Sequence, residues 1–127
     1  MSRVESIFEA GNLKSNGHYA LAVIHQNTVY VSGQFAIDPI TQKKKFGTIE
    51  EETLQALSNI EYILEEAGSG KGRILKLTLY LHDINLLDRV DNVCQGFFDD
   101  NCPACSIVPT NELHYGFQIE IEAIAAM

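Results

Sequence analysis

Glu120 and Glu122 stand two residues apart in the segment 117–125, so on a β-strand both carboxylates leave the face opposite Phe117, Ile119, Ile121 and Ala123. The apolar face is the one that helices would cover, and the two glutamates point away from it. A carboxylate so placed is paired, exposed at a cleft, or protonated with a raised pKa, and the last two states suit a general acid or base. The plainer reading is a solvated or paired glutamate. Cys102-Pro103-Ala104-Cys105 has C-x-x-C spacing. Redox chemistry at such a pair needs a helix N-terminus to depress the first thiol, and zinc needs further ligands; here a strand follows and no second pair exists. With Cys94 the cysteines are odd in number, which points to three reduced thiols rather than a disulfide framework. His18, His25, His82 and His114 are scattered and form no zinc motif, so each reads as a surface or turn residue. Lys43-Lys44-Lys45 reads as a solvated basic run, and Gly68-Ser69-Gly70-Lys71-Gly72 as a helix-to-strand turn rather than a phosphate cradle, because it follows a helix instead of opening one.

Composition limits what such groups could act on. Nine Lys and Arg against 17 Asp and Glu give a net charge of -8 in 127 residues, so no broad cationic surface is available to neutralise a phosphate backbone. Nucleic acid is disfavoured as a partner and a small molecule favoured. The longest apolar run is Tyr19 to Ile24, and the start lacks a basic-then-apolar leader, so a cytoplasmic protein with no membrane partner is expected. The length suits a single domain, 1–127.

The elements that must position these residues follow from patterning. The first fifteen residues read as an irregular lead-in. Tyr19 to Ile24 and Thr28 to Ser32 predict an antiparallel hairpin around His25-Gln26-Asn27. Thr48 and Glu51 form a capping box, Leu54, Leu57, Ile60, Leu64 and Ala67 follow at helical steps, and Gly68 sits where a left-handed cap belongs. Arg73 to Leu81 alternates as a strand with Leu75, Leu77, Leu79 and Leu81 on the core face. Asn85 is a candidate N-cap for a second helix carrying Leu86, Val90, Val93, Phe97 and Phe98; Ser106 to Leu113 and Phe117 to Ala125 are the last strands. The order predicts an α+β fold, a mixed sheet with two helices on one face. The other face would leave Tyr30, Tyr80 and Ile124 in water, so a homo-oligomer is expected to cover it.

Several short motifs resemble the reactive intermediate deaminase superfamily, also called the YjgF or L-PSP family. They are Gly17-His18-Tyr19, Val31-Ser32-Gly33-Gln34, Asp38-Pro39, Gln55 to Ile60, Glu65-Ala67-Gly68, Phe97-Phe98, Pro103-Ala104 and Ile119 to Ala125, spanning nearly the whole chain. The resemblance implies a chorismate-mutase-like fold and a homotrimer with clefts between subunits. In active members an arginine grips the substrate carboxylate, and a glutamate-held water hydrolyses 2-imino or enamine acids to 2-oxo acids and ammonia without a cofactor or metal. Carried over by position, it makes Glu120 the catalytic residue, with Tyr19, Ser32 and Gly33 in the cleft. The family's Pro-Ala-Arg-Ser is here Pro103-Ala104-Cys105-Ser106, Asp91 stands where asparagine is common, and Ile107 replaces a small residue. A neutral thiol offers one weak donor in place of a charged fork, so carboxylate binding is expected to fall, unless Arg73, Lys76 or Arg89 substitutes. An imine or enamine hydrolase of weak or altered specificity is the expected function. A non-catalytic trimeric metabolite binder and an L-PSP-type endoribonuclease are the alternatives.

Overall fold

The computed structural model describes residues 3–15 and 17–127. In chain order the elements are β1 (Val4–Ile7), β2 (Glu9–Ala10), β3 (Leu13–Lys14), β4 (Ala22–His25), β5 (Thr28–Gln34), α1 (Ile49–Ala67), β6 (Ile74–Leu81), α2 (Leu87–Phe98), β7 (Ala104–Pro109) and β8 (Ile119–Ala126). Six strands form one sheet in the order β1-β4-β5-β8-β6-β7, antiparallel except for the parallel pair β6–β7. The fold is α+β with both helices on one side of a mixed sheet.

The first helix begins and ends where its sequence demands. Thr48 Oγ1 accepts from the Glu51 N–H at 3.1 Å while Glu51 Oε1 accepts from the Thr48 N–H at 2.9 Å, and Gly68 closes the other end at φ 90. Ile49, Ala56, Leu57, Ile60, Ile63 and Leu64 bury one stripe of α1 against Val29, Val31, Leu77, Leu79, Ile119, Ile121 and Ala123 of the sheet. Leu54, expected in that stripe, is 49% exposed; Thr53 takes the inward position instead.

Other departures have physical causes. The expected irregular lead-in contains an edge strand, β1, and a two-residue ladder, β2–β3, too short to show a period. The first hairpin strand starts at Ala22, not Tyr19, and its turn is the pair Gln26-Asn27, with Gln26 at φ 56. Pairing of β6 with β8 slips by one residue between Ile74 and Lys76. That bulge turns Ile74 inward and leaves Leu75 52% exposed, reversing the alternation read from sequence. Asn85 does not cap α2, whose N-cap position is Leu86 with no side-chain bond; instead the Asp83 carboxylate accepts from the Asn85 N–H at 3.0 Å and opens a 3₁₀ turn before α2. The edge strand runs Ala104–Pro109 rather than Ser106 to Leu113.

The open face of the sheet carries Val4, Tyr30 and Val108, all exposed in the single chain. Among the described residues no helix is long and apolar enough to cross a membrane.

One buried carboxylate ties the helix layer to the strand that carries the glutamates. Glu52 is 2% exposed and accepts from the Gln118 N–H at 2.9 Å, the Gln118 side-chain amide at 3.0 Å and the Gly47 N–H at 3.4 Å. Three donors around one carboxylate offset its desolvation and fix the entry of β8. Glu52→Ala strands those donors, and the urea midpoint is expected to fall by the equivalent of about 1–3 kcal/mol. An unchanged midpoint would show that Glu52 adds nothing to the junction.

Candidate functional site

The site is built on a second bulge. Val31 pairs with Ala123 and Gln34 with Ile121, so β5 spends one residue more than β8 over the same span. The extra residue falls in Ser32-Gly33, beside the glutamates of β8. A Cβ on Gly33 would lie 2.8 Å from Glu120 Cδ, so only glycine leaves room for that carboxylate as it stands. Ser32 Oγ donates to the Ala20 carbonyl at 2.7 Å and the Ser32 N–H to the Leu21 carbonyl at 2.9 Å, fastening the segment that bears Tyr19 against the bulge. Ser15 Oγ donates to the Tyr19 carbonyl from the other side.

A cleft of about 520 Å³ opens here. Tyr19, Ser32, Gly33 and Glu120, the four positions carried over from the resemblance, all line it, together with Lys14, Gln34, Phe35, Lys44, His114, Tyr115 and Glu122. The two glutamates differ sharply in their partners. Glu122 accepts a hydrogen bond from the Tyr80 hydroxyl, which holds the Tyr80 pKa up because the proton is shared with a carboxylate. Glu120 accepts no hydrogen bond among the described residues. Burial pushes its carboxyl above the ordinary 4.5; His114 pulls it down and Glu122 pushes it up. A partly buried carboxylate with free lone pairs, aimed into a cleft, is equipped to hold and deprotonate water.

His114 belongs to this site, although its position in a turn gave no sequence signal. It sits in a 3₁₀ turn with Tyr115 at φ 61, its ring 5.8 Å from Phe35. Phe35, which with Tyr115 gives the cleft an aromatic wall, is backed by Phe117 stacked on it at 5.1 Å, and Phe46 in turn stacks on Phe117 at 4.7 Å.

Cys105 and Asp91 do not line this cleft in the single chain. Cys105 pairs with Leu77 across β6–β7, which places it on the helix side of the edge strand near Cys94 and Asp91 of α2. Burial, reinforced by the neighbouring Cys105 and Asp91, pushes the Cys94 thiol up to about 12. Burial and then Asp91 also raise Cys105, against a smaller opposing pull from Lys76. Both are protonated thiols at neutral pH, unlike the thiolates of redox pairs. All three cysteines are free. The cations named in the sequence reading as possible carboxylate anchors are engaged elsewhere. Arg89 makes a two-pronged bond to Glu50 at 2.6 and 2.7 Å, Arg73 donates to the Met127 carbonyl at 2.7 Å, and Lys76 donates to Ser106 Oγ at 2.9 Å.

Residues 10–127 match the family model described as Endoribonuclease L-PSP. The chain belongs to that family. It is 37% identical to a RutC family protein of Pyrococcus abyssi over 121 residues, 95% of each chain. It is 38% identical to the 2-iminobutanoate/2-iminopropanoate deaminase of Homo sapiens over 109 residues, covering 86% of this chain and 80% of the human one. The crystal structure of the E. coli YjgF gene product superposes with a TM-score of 0.88 at 30% identity, covering 96% and 98% of the two chains. The mixed sheet with two helices on one face is thus the architecture of this L-PSP family.

The close approach at the bulge yields a direct test. Gly33→Ala should leave the thermal midpoint within a few degrees, because the displaced group is the end of a flexible side chain, yet move the Glu120 carboxylate in a crystal structure of the variant. An undisplaced carboxylate would remove the role assigned to Gly33.

Proposed function

We propose that the protein hydrolyses imines and enamines to a carbonyl compound and ammonia, with Glu120 as general base. The observation that carries this is the Glu120 carboxylate itself, raised in pKa by burial, without a protein donor among the described residues, and facing a cleft. The human relative's name, 2-iminobutanoate/2-iminopropanoate deaminase, supports the same reaction class. Water held by Glu120 adds its oxygen to the C=N carbon as the carboxylate takes its proton. The nitrogen receives that proton, giving a carbinolamine; Glu120 then takes the hydroxyl proton and passes it to the amine nitrogen, and the C–N bond breaks to release ammonia as the carbonyl forms. No redox step and no cofactor is needed. The charge on Glu120 also favours the protonated, more electrophilic iminium. Tyr19 and the aromatic wall close the site around the carbon skeleton.

The assembly in this proposal is a homotrimer that covers the exposed sheet face bearing Val4, Tyr30 and Val108. Because Cys105 and Asp91 lie outside the cleft of their own chain, they contribute only across a subunit border. There Cys105 replaces the arginine of the family pattern, and the loss of a charged fork weakens the hold on carboxylated imines.

Ammonia release from imines generated in situ by an amino-acid oxidase tests both parts. Glu120→Gln should lower the rate by about 100-fold or more, the usual contribution of a positioned acid–base group. A Glu120→Gln variant of wild-type rate would overturn the mechanism. Cys105→Arg should lower KM for carboxylated imines about tenfold, the effect of one added charge-assisted hydrogen bond. An unchanged KM would place Cys105 outside the assembled site.

A further inference from the structure

With Arg73, Lys76 and Arg89 occupied elsewhere, the cleft still holds cations of its own, Lys14 and Lys44. They share it with Glu120, Glu122 and His114. Lys44 is the one whose position is fixed. Its backbone forms an isolated bridge with Ile37, and the adjoining turn is closed by Asp38 N–H to the Lys43 carbonyl and Lys45 N–H to the Ala36 carbonyl, each 2.8 Å. Asn59, buried in α1, donates to the carbonyls of Phe35 and Ile37 at 3.2 and 2.7 Å and anchors this segment to the core. Gln42 Nε2 reaches the Asn12 carbonyl at 2.6 Å, tying the turn to the far rim.

On that base the Lys44 ammonium rests 4.4 Å from the centre of the Tyr115 ring, and among the described residues it has no carboxylate partner. Its neighbour Lys45 is paired with Asp38 at 3.5 Å. A cation held on an aromatic face keeps three donors for a ligand and gives up little hydration to stay there. Of the cleft's two glutamates, Glu122 is already bonded to Tyr80, so Glu120 is the lining carboxylate without a donor among the described residues, and Lys44 is the lining cation seated on a ring.

We propose that Lys44 is the specificity-determining cation of this cleft: it holds the carboxylate of a 2-imino or 2-oxo acid from the Tyr115 side, in place of the arginine that Cys105 has displaced. This assignment rests on the hydrolase proposed above and deepens it by naming the side chain that selects for a carboxylate. It also makes the cleft bipolar, with Lys44 at the carboxylate end of the substrate and Glu120 at the C=N carbon.

Calorimetric titration of 2-oxobutanoate and of its neutral amide, 2-oxobutanamide, tests the assignment without relying on turnover. Wild type should bind the acid, Lys44→Gln should bind it at least about tenfold more weakly, and Lys44→Arg should restore it. Lys43→Gln, the same charge change on a residue outside the cleft, should bind the acid like wild type. The amide should not distinguish Lys44→Gln from wild type. Failure of wild type to bind the acid, equal binding by Lys44→Gln, or an equal loss in Lys43→Gln would each overturn the assignment. Ammonia release by the same preparations separates the two proposals, because Lys44-dependent acid binding without imine turnover would uphold the anchor and refute the hydrolase.

Discussion

Everything in the cleft depends on the extra residue that β5 inserts opposite β8. A regular ladder would set a side chain beside Glu120; the bulge sets Gly33 there, and the carboxylate fills the space a Cβ would need. The same irregularity turns the Ser32 hydroxyl toward the Ala20 carbonyl, so the loop bearing Tyr19 becomes one wall of the site. Carboxylate, wall and opening thus share one backbone cause. The scaffold beneath is rigid where it must be: Glu52 fixes the start of β8, and Asn59 fixes the segment that leaves β5.

Two glutamates on one face of one strand have been given different tasks by their neighbours. Thr78 on β6 stands directly opposite Glu122, while Tyr80, which stands opposite Glu120, donates diagonally to Glu122. Glu120 faces the bulge and the His114 turn, where burial raises its pKa and no donor among the described residues compensates. An unpaired carboxylate at partial burial costs stability, and such a cost is characteristic of groups kept for chemistry. The overall charge of -8 does not describe this local field, because two of the few lysines face the cleft.

Much of this was legible in the sequence where a rule acts locally. Thr48, Glu51 and Gly68 mark the ends of α1 because capping is decided within four residues, and the alternation of Ile119 to Ala125 places both glutamates on the open face. The resemblance brought Tyr19, Ser32, Gly33 and Glu120 together, and the structure puts all four in one cleft. Reading failed where a single inserted residue reverses a period-two pattern, as at Leu75, or where a strand is too short to have a period, as in β1 to β3. Lys44 and His114 were invisible for another reason: a basic run and a turn histidine look solvated until the Asp38–Lys45 hairpin and the Tyr115 turn fold over the same space.

If the desolvated carboxylate of Glu120 activates water, as proposed, its ionisation must govern the pH dependence of kcat/KM for imine hydrolysis, measured for wild type and for Glu120→Gln. A base must be ionised to act, so wild-type activity should fall as pH drops through a pKa above the ordinary 4.5, and this acid limb should be absent from the variant's residual activity. An acid limb that persists unchanged in Glu120→Gln would assign the base to another group.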